Sequence, residues 1–212
     1  LEIINEILDF SKIDAGKLHL SNVPFSLRQS IEDRIGLLRP LAAEKSLYLN
    51  LTIEESLPDH LVGDVGRILQ IVANLVGNAI KFTEAGGITV QVSRGDEEKA
   101  GGSFVPVRII VSDTGVGIPA EKVSNLFQAF SQVDDSSVRK TSGTGLGLVI
   151  SKRLVEAMDG EIDVESDSGR GATFWVTIPL QEDPKQSRRE IEADDGAAGA
   201  GGDPRRPPLH PE

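Results

Sequence analysis

The chain has 212 residues, 39% hydrophobic and 26% charged, which suits one globular domain with appendages and a core of its own. Its formal net charge of -11 argues against non-specific nucleic-acid binding, which needs a basic face to displace counterions. The absence of cysteine excludes disulfides and thiolate metal sites, and neither an apolar run long enough to span a membrane nor a secretory signal is visible.

A start at Leu1 rather than Met suggests a piece of something longer. Residues 1–16 place Leu1, Ile3, Ile4, Ile7, Leu8 and Phe10 on a wide apolar face, which predicts a helix closed by Gly16. So short a helix is marginal alone, and its apolar face must lie against something. Ser26 to Glu44 reads as a helix capped by Ser26, Leu47–Ile53 as a strand and Asp64–Phe82 as a long helix. Ile88–Val92 and Val107–Val111 carry the alternation of half-buried strands, and the stretch at 95–103 between them reads as a hairpin loop. From Asp113 to Gly147 the pattern breaks into a glycine-punctuated segment, of a length usually functional or disordered. Leu146–Met158 returns to helix, with Leu146, Ile150, Leu154 and Met158 about one turn apart, and Gly160–Glu165 and Ala172–Ile178 read as strands. Strand twice follows strand without a helix between. That favours a mixed or antiparallel sheet with helices on one face, an α+β fold rather than a doubly wound one. Residues 182–212, rich in Gly, Ala, Pro, Asp and Arg without periodic apolar positions, read as a disordered tail.

Four constellations carry candidate chemistry. Asn74, Asn78 and Lys81 fall at i, i+4 and i+7 of the long helix, hence on one face. Amide oxygens are hard ligands suited to Mg²⁺ and a lysine is a point charge for phosphate, although the same stripe serves as the polar face of an amphipathic helix. Asp113-Thr-Gly-Val-Gly-Ile-Pro119 follows an apolar strand. Its carboxylate is able to accept from an exocyclic amine, with Gly115 and Gly117 letting the backbone pass close to a flat ring; a plain turn has the same composition. Gly143-Thr-Gly-Leu-Gly-Leu148 opens a helix, where exposed N–H groups suit phosphates. It is not the dinucleotide fingerprint, which needs Gly where Leu148 stands. Gly169-Arg-Gly-Ala-Thr-Phe174 joins two strands, either as a simple turn or with Thr173 aimed at a ligand.

In this order and spacing the four segments resemble the N box and the three glycine boxes of histidine kinases, with Leu126-Phe-Gln-Ala-Phe130 similar to the intervening F box. The resemblance covers about residues 1–180 and implies the GHKL (Bergerat) fold, a two-layer α/β sandwich of mixed sheet under helices, with a mobile lid over the nucleotide. It implies ATP and Mg²⁺ as cofactors. Asn78 is the expected metal ligand, Asn74 lies nearby and Lys81 faces the phosphates. Asp113 is expected on adenine N6, with Gly115, Gly117, Ile118 and Phe82 bordering the base. Gly143, Thr144, Gly145, Leu146, Gly147 and Leu148 are expected around the triphosphate. Arg139 and Lys140 are expected at the γ-phosphate, and Thr173 completes the expected set.

Ile4-Asn-Glu-Ile-Leu-Asp-Phe-Ser-Lys-Ile-Asp-Ala-Gly-Lys-Leu18 is similar to the end of the second helix of a dimerisation and phosphoacceptor domain. The implied division is 1–20 for that helix end, 21–181 for the catalytic domain and 182–212 for the tail. His19, His60 and His210 match no phosphoacceptor box, so the chain alone is expected to be inactive in autophosphorylation. The implied parent is a sensor histidine kinase of the hybrid kind, homodimeric, that relays phosphate from its phosphoacceptor helix to a receiver-domain aspartate; the chain itself is expected to be cytoplasmic, whether or not the full-length parent is membrane-anchored. The rivals are a GHKL ATPase and a non-catalytic ATP-binding scaffold. Against the ATPase stands Asn74, whose position in the related ATPases is a water-activating Glu.

Overall fold

The computed structural model describes residues 8, 11–13, 15–96, 104–128 and 145–185. Its elements are β1 (Val23–Ser26), α1 (Leu27–Glu44), β2 (Tyr48–Ile53), β3 (His60–Gly63), α2 (Val65–Phe82), β4 (Gly87–Arg94), β5 (Phe104–Asp113), α3 (Ala120–Val123), α4 (Gly147–Ala157), β6 (Glu161–Ser166) and β7 (Ala172–Glu182). Before β1, the helical turn at 11–13 ends as the sequence predicts. Gly16 turns left-handed (φ 64), its N–H donates to Ile13, and the Lys17 N–H donates to Lys12. Most of the apolar face expected over residues 1–16 lies outside the described residues. Leu8 is exposed, whereas Ile13, Leu18 and Leu20 pack against the core.

The strands form one seven-stranded sheet in the order β1-β3-β7-β5-β4-β2, with β6 sharing an edge of β7. Among the described strands only β2 and β4 run parallel; β4–β5 and β6–β7 are the expected hairpins, and β5–β7 is a further antiparallel pair that joins them. α1, α2 and α4 cover one face. Their buried stripes include Ile31 and Ile35, then Ile68, Ile71, Val72, Leu75 and Val76, then Leu154 and Val155. These meet the inward set Ile88, Val90, Val92, Val107, Ile109, Val111, Phe174, Val176 and Ile178. A helix stripe of period 3.6 against a strand set of period 2 makes the two layers. On the opposite face the Arg108 guanidinium lies 4.4 Å over the Trp175 ring. Among the described residues no helix is long and apolar enough to cross a membrane.

α1 begins where the Ser26 hydroxyl accepts from the Gln29 amide, the cap that its sequence announces. α2 begins at Asp64, which works in two directions. Its Oδ1 accepts from the Arg67 amide, and its Oδ2 accepts from the Ser21 amide at 2.9 Å, tying the segment before β1 to the head of α2. β7 runs past the predicted Ile178 to Glu182, where it pairs with Leu61, and buried Asp183 donates its N–H to the His60 carbonyl. Packing therefore continues into the stretch whose composition reads as tail. Residues 186–212 lie outside the described ones.

Candidate functional site

The far end of α2 is built to stay in place. The last carbonyls of a helix lack intrahelical partners, and here Lys45, at the end of α1, donates from Nζ to Ile80 (2.7 Å), Lys81 (2.9 Å) and Thr83 (3.2 Å). The remaining carbonyl, of Phe82, accepts from the Val116 amide. Asn74, Asn78 and Lys81 line the side of α2 that its buried stripe leaves partly open. The Lys81 ammonium sits 5.0 Å from the Phe82 ring centroid, and burial pushes it below the ordinary lysine range. Phe82 itself is 42% exposed.

Asp113 continues the inward register of Val107, Ile109 and Val111 to the end of β5. Its Oδ1 accepts from the Gly115 amide at 2.8 Å and the Ala172 amide at 3.3 Å; Oδ2 has no donor among the described residues. Burial raises the carboxyl above its ordinary range, with the two N–H groups partly offsetting that. Backbones crowd here. A Cβ on Gly115 would lie 2.5 Å from the Phe82 carbonyl oxygen, and one on Gly171 (φ 85) would lie 1.9 Å from that of Asp113. Thr114 ties the loop to the α2–β4 turn by donating to the Ala85 carbonyl and accepting from the Gly87 amide. The Ile118 amide donates to Ser166, whose hydroxyl donates to the Gly171 carbonyl. The first and third glycine segments are thus interlocked around the Asp113 carboxylate.

The second glycine segment arrives from the other side. Gly145 is left-handed (φ 69), and Gly147 starts α4 against α2, with Asn74 filling the space that a Cβ would need. The Asn74 amide donates to the buried Ser151 hydroxyl at 2.9 Å. Leu146 is buried and Leu148 packs on the core, so each offers a ligand its backbone rather than its side chain.

Asn74, Asn78, Lys81, Phe82, Asp113, Gly115, Gly117 and Ile118 therefore gather around the end of α2 and the loop after β5, with Gly145 and Gly147 at the α4 end. One expectation is corrected. Thr173 alternates with inward Ala172 and Phe174, so its hydroxyl lies on the opposite face of the sheet, 3.0 Å from that of Ser112. The neighbouring Ala172 reaches Asp113 instead, through its backbone N–H. Arg139, Lys140, Gly143 and Thr144 lie outside the described residues, as does Phe130 of the predicted F box. Of that box, Leu126 is buried, and Phe127 lies 5.3 Å under the Lys152 ammonium. Sequence reasoning missed Lys45, Thr114, Val116 and Ser151. Only Ser151 leaves a trace in the sequence, as a small polar residue on the apolar stripe of α4.

Residues 63–182 match the family model described as histidine kinase-, DNA gyrase B-, and HSP90-like ATPase. The chain is 50% identical over 190 residues to the sensor protein GacS of Pseudomonas syringae pv. syringae, covering 88% of this chain and 21% of that protein. It is 46% identical over 184 residues to the signal transduction histidine-protein kinase BarA of Escherichia coli K12, covering 87% and 20%. The chain thus spans about a fifth of the length of these relatives. Among solved structures, full-length ShkA in complex with AMPPNP is similar at a TM-score of 0.73 and 34% identity, over 86% of this chain and 36% of that one. The nucleotide-free catalytic domain of histidine kinase ThkA is similar at 0.57 and 26%, over 75% and 95%.

Proposed function

This chain belongs to the histidine kinase-, DNA gyrase B-, and HSP90-like ATPase family, and we propose that it is the ATP-binding catalytic domain of a two-component sensor histidine kinase. In the parent protein it presents the γ-phosphoryl group of Mg-ATP to a histidine on a phosphoacceptor helix, for relay to a receiver-domain aspartate. Such transfer rests on positioning and charge neutralisation rather than on a strong base. The parent is proposed to be a homodimer in which residues 1–20 end the dimerisation helix, and the domain works on the cytoplasmic side.

The observation that carries this reading is Asp113. It is a desolvated carboxylate with one oxygen held by two backbone amides and the other without a donor among the described residues, and the backbone of Phe82, a half-exposed aromatic, passes close at Gly115. A donor such as an adenine amino group completes it, with Phe82, Ile118 and the close-passing Gly115 and Gly117 along the base. Lys81 is assigned to the phosphates, as are the backbone amides of Gly143, Thr144, Gly145 and Gly147. Arg139 and Lys140 are assigned to the γ-phosphate. Among the described residues no group of three His, Cys, Asp or Glu gathers to hold a resident ion. A single hard amide oxygen, from Asn78, suits Mg²⁺ that arrives on the triphosphate and keeps most of its water. When bound, that ion supplies charge neutralisation between the phosphates. Asn74 opposes an ATPase reading, since a neutral amide held by Ser151 takes no proton from water.

Calorimetry with Mg-ATP and Mg-GTP tests the assignment. We expect binding in the micromolar range or weaker (about -8 kcal/mol at about 1 μM), with ATP preferred. Equal affinity for the two nucleotides would overturn the role of Asp113.

A further inference from the structure

Asn74 sits where α2 meets α4. Both ends of that contact belong to α4: a Cβ on Gly147 would lie 2.4 Å from Asn74 Oδ1, and the Ser151 hydroxyl, one turn later, accepts from Nδ2 at 2.9 Å. Ser151 is 1% exposed, so its hydroxyl has no bulk water to fall back on. A buried polar group is retained when it is paired, and pairing here fixes which atom of the amide points where. With Nδ2 on Ser151, the Asn74 oxygen is turned toward the start of α4, and the amide's oxygen-and-nitrogen edge meets Gly147.

We propose that Ser151 is a positioning residue of the nucleotide site, locking α4, and with it Gly145 and Gly147 at its start, onto the helix that carries Asn78 and Lys81. The proposal rests on the ATP reading above and deepens it. Asn78 and Lys81 belong to α2, whereas Gly145 and Gly147 belong to the α4 side. Only a ligand that touches both helices feels their spacing. A triphosphate does; the adenine end, built from Asp113, Gly115 and Phe82, does not depend on α4. Ser151 therefore acts on phosphate binding and not on base binding. It acts through Asn74, without touching the ligand.

The test uses this chain, with AMPPNP plus Mg²⁺ as one probe and AMP as the other, both titrated by calorimetry well below the melting temperature. Ser151→Ala should weaken AMPPNP about tenfold, the scale of one lost buried hydrogen bond, and leave AMP within about twofold. Ser151→Cys keeps the shape with a weaker partner and should fall between the two, which separates hydrogen bonding from packing. In an Asn74→Ala background the Ser151→Ala loss should vanish, since the two residues then form one thermodynamic unit. Equal losses for AMP and AMPPNP, or a Ser151 effect that persists without Asn74, overturns the proposal. So does an unchanged Ser151→Ala. Wild-type protein that binds neither probe overturns the ATP reading itself, and the Ser151 assignment with it.

Discussion

Asp113 grips the amide of Gly115, two residues ahead, at 2.8 Å with one carboxylate oxygen only. That same oxygen also takes the Ala172 amide, so it is committed to two backbone donors and Oδ2 is left without one among the described residues. In Asp113→Asn the amide oxygen must stay with these donors, and the NH₂ group then faces the ligand. A site that accepted from a purine amino group becomes one that donates to a purine carbonyl. ATP affinity should fall about tenfold or more, the scale of an unpaired buried polar group, while GTP or ITP gains on it. Competition binding with the three nucleotides reads this directly. Retained preference for ATP in the variant would show that Asp113 does not read the base.

The same carboxyl sets a pH dependence. Burial holds its folded-state pKa above the unfolded value, so the folded chain binds that proton more tightly than the unfolded one does. The stability linked to this proton is present below the unfolded pKa and is lost as pH rises through the folded one. Asp113→Asn removes that loss. The variant should melt higher than wild type near neutrality, and the gap should close under acid. Thermal melts across the acid-to-neutral range check the sign, and a gap that widens on acidification would contradict it.

The layout of this site was largely legible because its parts are local. A helical period put Asn74, Asn78 and Lys81 on one face, and a strand end put Asp113 at the head of the glycine loop. Contacts between segments were not legible. Lys45 stands 35 residues before Ile80, and Ser151 stands 77 after Asn74, and no local pattern announces either pairing. Thr173 failed for a strand reason: a one-residue difference along β7 changes the face, and the motif alone does not say which residue of Ala172-Thr173 points inward. β1 and β3, of four residues each, were too short for alternation to register, and their pairing with one another makes them strands.

Gly147→Ala should separate stability from binding. A Cβ there would lie 2.4 Å from Asn74 Oδ1, so the amide must move and leave Ser151. Alanine favours helix over glycine by at most about 1 kcal/mol, which offsets part of the crowding. The melting temperature should therefore change little. AMPPNP affinity should drop about tenfold, as one buried hydrogen bond is lost. A variant that binds normally would mean that the α2–α4 contact has slack.

Lys45→Met tests the tie between α1 and the end of α2. The lysine is exposed, so removing its three carbonyl contacts should cost only about 1 kcal/mol. The diagnostic effect is local. With the last turn of α2 loosened, the Phe82 carbonyl that receives the Val116 amide shifts too. Hydrogen exchange at Val116 should quicken relative to the interior of β5, and ATP affinity should fall with it. Unchanged exchange at Val116 would confine Lys45 to α1.

The last prediction concerns turnover. Mixed with ATP and Mg²⁺, this chain should take up no stable phosphate and release little ADP. His19 is exposed just beyond the turn closed by Gly16, and His60 lies in β3, where its carbonyl receives Asp183. Neither stands among the residues grouped around Asp113 and the end of α2. His210 lies outside the described residues, in the proline-containing tail. Water fares no better, because Asn74 is an amide whose NH₂ group is held by Ser151, and no carboxylate stands there to take a proton. A separate helix carrying the parent's phosphoacceptor histidine should restore labelling in part, slowly, because the dimer that raises its local concentration is lost. Acid-labile phosphate on His19, His60 or His210 in the chain alone would make one of them an acceptor. Brisk ADP release without any acceptor would promote the ATPase reading over the kinase.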